Sequence, residues 1–135
     1  TLISELQEDR VYNKAVIGFD QAFLDAQIQK IPSEIRESFE VIKSRDMLLE
    51  FMPKGVTKAY GLSLLVRDLG LKQTEVMSIG DEENDLSMIE YAGMGVAMGN
   101  AVAQVKAVAD IVTATNEEDG VAKVVETYIL QEGSD

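Results

Sequence analysis

Apolar positions along the chain switch between two spacings. "KAVIGF" (14–19) is a continuous apolar run of strand length, and Asp20 follows it as an N-cap. Phe23, Leu24, Ile28 and Ile31 then recur at helical spacing until Pro32 ends the helix and Ser33 opens a short one. "FEVIKS" (39–44) and "MLLEFM" (47–52) flank "RD" and predict a strand hairpin or a close strand pair. The first part therefore reads strand–helix–strand–strand.

Pro53 and Gly55 mark a boundary, dividing the chain into residues 1–52 and 53–135. After it the alternation becomes regular. Thr57 is a good N-cap, Leu62, Leu65, Val66 and Leu69 predict one apolar helix face, and Gly70 is the stop. Strand-like runs "VMSIG" (76–80), "MGVAM" (94–98) and "DIVTA" (110–114) alternate with helical stretches over 84–91, 102–108 and 120–130. Strands alternating with helices predict βαβ units and a parallel sheet, and such apolar strands predict burial on both faces. The fold class is α/β.

In such sheets a ligand sits outside the carboxyl ends of the strands. Asp81, Asn100 and Asn116 each lie just past a predicted strand, so three polar loops should share one rim.

Composition narrows the chemistry. The 135 residues are 46% hydrophobic, enough for one packed domain or parts of two. Cysteine and histidine are absent, which excludes disulfides, thiolate catalysis, Cys/His zinc sites and histidine bases. A chain without cysteine fits the cytoplasm. No apolar run is long enough for a membrane span, and "TLISELQEDR" lacks the basic and apolar regions of a signal peptide. The net charge of −12 opposes non-specific binding to nucleic acid or anionic membrane. An anionic substrate would need local cations to overcome that field.

"SIGDEENDLSM" (78–88) carries Asp81, Glu82, Glu83 and Asp85 within five positions. Acidic residues in a first helical turn complement the helix dipole, by about 0.3–1 kcal/mol each, but that does not ask for four. Mg²⁺ uses one or two carboxylates and keeps several waters. Asp81, at a strand end, is the best-placed direct ligand; Asp85 is a second ligand or an outer acceptor, and Glu82 and Glu83 are expected in solvent. An EF-hand is excluded, because counting from Asp81 its glycine position is Leu86 and its terminal glutamate position is Ala92. Lys58 follows the Thr57 cap in a first helical turn, where a cation opposes the dipole. It is either a solvated lysine or a phosphate clamp beside a helix N-terminus.

Together these segments resemble the C-terminal part of the haloacid dehalogenase-like phosphatases, in the Cof-type sugar-phosphatase branch. The resemblance rests on "KGVTKAYGLSLLVRDLGL", "VMSIGDEENDLSMIEYAGMGVAMGNA" and "VKAVADIVTATNEEDGVAKVVE", in order, with Lys58 lying 23 positions before Asp81. It implies a Rossmann-like core, here its C-terminal half over 53–135, preceded by the end of an α/β cap domain over 1–52. It implies Mg²⁺-dependent hydrolysis of small phosphorylated metabolites through an aspartyl-phosphate. Lys58 matches the lysine that contacts nucleophile and phosphate, Asp81 the acidic metal ligand, and Asn84 the residue on the phosphate side. Asp85 matches the second acid of the metal motif.

One departure is large. The family's nucleophile motif "DxDGT" occurs nowhere in the chain, and Asp20 in "GFDQAF" lacks the second aspartate and the Gly-Thr. The resemblance thus implies the C-terminal part of a longer enzyme, inactive alone, with an open sheet edge that a second copy could complete as a homodimer. The competing reading is a self-associating module without catalysis. A phosphoacceptor receiver domain shares the sheet type, but its acidic pair and phosphorylatable aspartate cannot be placed here.

Overall fold

The computed structural model describes residue 7 and residues 9–130. Residues 1–6 and 8, at the start of the 1–52 unit, and 131–135, at the end of the second, lie outside the described residues. Two three-stranded sheets follow one another along the chain.

The first is antiparallel. β1 (Ala15–Gly18) and β2 (Phe39–Arg45) both pair with the central β3 (Leu48–Pro53). α1 (Gln21–Ile28) starts where predicted, with the Asp20 side chain accepting from the Phe23 N–H at 3.1 Å. α2 (Ser33–Ser38) follows Pro32. Register places Val16, Glu50 and Ile42 across one face, while Ile17, Leu49 and Lys43 share the other. The second face is covered by α1: Leu24 and Leu49 are both buried, and Asp25 pairs with Lys43. A bulge at Ser44 aligns Arg45 with Leu48.

The second sheet is parallel, in the order β4 (Met77–Gly80), β5 (Met94–Ala97) and β6 (Ile111–Val112). α3 (Lys58–Asp68) precedes it, α4 (Leu86–Tyr91) and α5 (Ala103–Val108) connect its strands, and α6 (Gly120–Tyr128) closes it. α3 begins at the Thr57 hydroxyl, which accepts from the Tyr60 N–H at 3.2 Å. It ends at Gly70, whose φ of +67° suits glycine, and the Leu71 N–H reaches back to the Val66 carbonyl at 3.0 Å. The core gathers Ile89, Ala97, Met98, Ala101 and Val105, with Ile79, Leu86, Val102 and Ala109 against it.

Three expectations are corrected. The strands of the parallel sheet are not uniformly buried: Gly95, Val96 and Ala97 of β5 are, but Met77 and Ile79 of β4 are half-buried and Val112 of β6 is exposed. β6 is shorter than "DIVTA" suggested, although backbone bonds from Asp110 to Gly95 and from Thr113 to Ala97 carry its alignment further. The predicted face of α3 splits: Val66 is buried, whereas Leu65 and Leu69 are exposed. α3 packs on α4, and that contact reaches only one side of the helix.

This packing sets a stability contrast. Ile89 is 2% exposed and Leu69 is 62% exposed. Ile89→Ala should cost about 2–5 kcal/mol in urea unfolding, through lost burial and a cavity. Leu69→Ala should stay within about 0.5 kcal/mol.

Candidate active site

β4 ends at Gly80, and the chain turns at once through a 3-10 turn, Glu83–Asp85, into α4. Asp85 is buried to 4% exposure. Its Oδ2 accepts the backbone N–H groups of Asp81 at 2.9 Å and Glu82 at 3.1 Å. Its Oδ1 takes the Lys58 ammonium from the first turn of α3. Burial pushes the Asp85 carboxyl up, but the Lys58 ammonium and the two N–H groups outweigh it and hold the group below its ordinary value. Gly80 makes room for this arrangement: a Cβ there would lie 2.5 Å from the Asp85 Cβ. Ser87, two residues on, accepts the Ala59 N–H at 3.3 Å and ties α4 to the start of α3.

Asp81 stands at the strand end with its backbone carbonyl bonded to the Val102 N–H at 2.9 Å. Its Oδ2 accepts from the Asn100 side-chain amide at 3.1 Å, and Asn100 Oδ1 accepts from the Asn116 N–H at 3.0 Å. The three polar loops expected on one rim are thus joined by hydrogen bonds.

Asn84 lies beside Lys58 on the wall of a cavity of about 320 Å³. Val56 and Thr57 continue that wall, and the first sheet supplies the opposite one through Lys14, Ile42, Glu50 and Met52. The structure brings Lys58, Asp81 and Asp85 into one linked set and places Asn84 at its margin.

Glu82 and Glu83 correct an expectation, because neither is free in solvent. Both are half-buried and line a second cleft with Lys43, Arg45 and Asp46. Burial raises the Glu83 carboxyl, against the charges of Lys43 and Arg36. Burial also raises Glu82, reinforced by Asp81, Asp46 and Asp85 and opposed by Arg45.

A sequence profile of the haloacid dehalogenase-like hydrolases matches residues 1–125. The chain belongs to this family. It is 40% identical over 115 residues to the 5-amino-6-(5-phospho-D-ribitylamino)uracil phosphatase YcsE of Bacillus subtilis, covering 84% of this chain and 46% of that protein. A haloacid dehalogenase-like hydrolase from B. subtilis superposes with a TM-score of 0.81 at 33% identity, over 94% of this chain and 45% of that one. The subclass IIB sugar phosphatase BT4131 superposes with a TM-score of 0.78 at 32% identity, over 89% and 44%. The chain spans less than half the length of each of these three. The Rossmann-like, parallel-sheet character expected of residues 53–135 is therefore the family's fold.

Sequence reasoning missed Lys14, just ahead of β1, and Ser44 and Glu50 in the first sheet. A signal was present: Glu50 is the one charge inside "MLLEFM", and period-two alternation places it on the face of Ile42 and Met52.

The Asp85 contacts generate a prediction. Asp85→Ala strands two loop N–H groups and releases Lys58. Unfolding should show a loss of about 2–3 kcal/mol, the hydrogen bonds to a buried charge dominating because the half-exposed Lys58 is partly screened. Asp85→Asn keeps an acceptor for the loop and should lose less.

Proposed function

We propose that this chain is the metal- and phosphate-binding part of a Mg²⁺-dependent phosphatase of small phosphorylated metabolites, sugar phosphates among them. Residues 1–52 are the end of its cap and 53–135 the C-terminal half of its core. One observation carries the reading: a single buried carboxylate, Asp85, holds both the Lys58 ammonium and the backbone of the Asp81 loop. A cation for an anionic group and a carboxylate for a hard metal are thereby fixed relative to one another, in a chain that is otherwise strongly acidic.

The residues present fit Mg²⁺. Asp81 offers a carboxylate oxygen at the rim, and Mg²⁺ needs only one or two such ligands with water completing the shell. Among the described residues no three acidic groups lie together at a distance to hold a metal ion, so Asp81 would need ligands from water or from outside these residues. Asp81 would hold the ion directly. Asp85 would support it from outside, since its oxygens already serve Lys58 and the loop. Bound there, the metal would offset charge on the transferring phosphoryl group.

Lys58 lies against that group as a fixed positive charge, and Asn84 donates from the adjacent wall. The value of Lys58 grows as charge shifts onto phosphate oxygens in the transition state. The attacking carboxylate of the aspartyl-phosphate route belongs to a segment outside these residues, because the chain contains no "DxDGT". The names of the relatives support a phosphorylated, hydroxyl-bearing substrate: one is a phosphatase of a phosphoribitylamino compound, another a sugar phosphatase. No described helix is long and apolar enough to cross a membrane. We place this chain in the cytoplasm on its own lack of cysteine and exclude nucleic acid as its partner on its own charge.

A second reading follows from the missing motif: the chain acts without catalysis, pairing with another copy along the β4 edge. No described strand lies beyond that edge. Sedimentation of the 135 residues tests it, since a monomer overturns this reading.

In the whole enzyme that carries this chain, Lys58→Ala and Asp81→Ala should each lower Mg²⁺-dependent turnover of p-nitrophenyl phosphate by about 10² or more. Near-normal turnover in Asp81→Ala would remove the metal assignment. The 135 residues by themselves should release no phosphate above buffer.

A further inference from the structure

Asp81 is fixed by more of the chain than a rim ligand requires. Its backbone N–H donates to Asp85 Oδ2 at 2.9 Å, and its carbonyl accepts from the Val102 N–H at 2.9 Å. Its side chain is held as well, by the Asn100 amide on Oδ2 at 3.1 Å. Among the described residues no hydrogen bond reaches Oδ1. The orientation of the Asn100 amide follows from its neighbours: its oxygen accepts from the Asn116 N–H at 3.0 Å, so its NH₂ faces the carboxylate. Asn100 is exposed, but its turn is anchored. Met98 and Ala101, which begin and end the turn, are buried, and the Ala101 N–H closes on the Met98 carbonyl at 2.9 Å. The Gly99 N–H reaches the Ala114 carbonyl at 3.0 Å, and the Gly99 carbonyl accepts from the Lys106 ammonium at 2.6 Å. A Cβ at Gly99 would lie 2.8 Å from the Thr115 nitrogen, so the turn sits hard against the exit of β6.

We propose that Asn100 is a positioning residue that makes Asp81 select Mg²⁺ over Ca²⁺. The proposal rests on the Mg²⁺ assignment of Asp81 and says what sets the preference of that site. Ca²⁺ takes a larger, flexible shell of oxygens and accepts a carboxylate through both oxygens at once. Mg²⁺ demands a near-octahedral shell of short bonds, and the two oxygens of one carboxylate lie too close together to fill two of its positions. To chelate, Asp81 would have to turn both oxygens to the ion. The Asn100 bond draws Oδ2 toward the Met98–Ala101 turn and leaves Oδ1 for the metal. The carboxylate then offers one oxygen in a fixed direction, which suits Mg²⁺ and withholds a second bond from Ca²⁺. Asp85 and Val102 cannot stand in for Asn100, because both bond the backbone of Asp81 and leave its side-chain torsions unset. A neutral amide also discriminates without charge, whereas a lysine in its place would repel both ions and a carboxylate would attract both.

The test compares the two ions at one site in the whole enzyme. Mn²⁺ is bound first, and Mg²⁺ or Ca²⁺ is titrated in without substrate, the free Mn²⁺ being read from its electron paramagnetic resonance signal. The two displacement constants give a Ca²⁺-to-Mg²⁺ ratio, and Asp81→Ala controls for the site. Asn100→Ala and Asn100→Leu should each shift that ratio toward Ca²⁺ by about tenfold or more, the scale on which the hydrogen-bond partners of a metal ligand act. Neither substitution opens a core cavity, since Asn100 lies at the surface. Loosening of the rim alone would weaken both ions together. Equal losses, or no loss, therefore leave the ratio unchanged and overturn the proposal while the Mg²⁺ assignment stands. Displacement by Mg²⁺ that is the same in the wild type and in Asp81→Ala overturns the assignment itself, and the proposal with it.

Discussion

A buried carboxylate is costly unless its oxygens are occupied, and Asp85 meets that demand entirely from the elements around it. Two backbone N–H groups of its own loop and the ammonium of a helix 27 residues earlier supply the bonds. The consequence is geometric. The loop after β4 must close tightly enough to aim two amides at one oxygen, which is why the strand ends in a glycine that admits the Asp85 side chain. α3 must bring its first turn to the same point, which its packing on α4 and the Ala59–Ser87 bond allow. Remove the carboxylate and the loop, the helix start and the lysine lose their common reference.

The rim extends this logic sideways. Asp81 is held through Asn100, and Asn100 through the Asn116 backbone, so the ends of three parallel strands are tied by a chain of neutral amides. Neutral donors suit a place where carboxylates already crowd: a further cation beside Asp81 would compete with a bound metal, whereas an amide orients one oxygen and leaves the other. Glu82 and Glu83 show what crowding does otherwise. Burial raises both carboxyls, reinforced at Glu82 by Asp81, Asp46 and Asp85, and Arg45 at Glu82 and Lys43 and Arg36 at Glu83 compensate in part.

Most of the fold was legible because it is written in local terms. Asp20, Thr57, Gly55 and Gly70 act through hydrogen bonds or dihedrals within a few residues, and each stands where the pattern put it. Burial was less legible. Leu65 and Leu69 satisfy a helical apolar stripe as well as Val66 does, yet of the three only Val66 is buried, and which side of a helix finds a neighbour is a tertiary matter. The same divide runs through the site. Lys58 and Asp81 stood out by breaking a local expectation, a cation at a helix start and too many acids after a strand. Glu50 broke one too, a charge inside an apolar strand, but its meaning depends on a sheet folding over a helix start, and no spacing encodes that approach.

The two walls of the cavity beside Lys58 are built on separate frameworks. Lys58 and Asn84 belong to helix and loop termini around the parallel sheet, where a shift of a few tenths of an ångström would disturb Asp85. Glu50 sits on the central strand of the antiparallel sheet, Ser44 at the bulge of β2, and Lys14 just ahead of β1. A substitution there changes what the wall offers without touching the loop that carries the acids. On the phosphatase reading the phosphate end is constrained by one buried charge, while the opposite wall stands free to vary. Such a division lets one hydrolytic site serve substrates that share a phosphate and differ in everything attached to it.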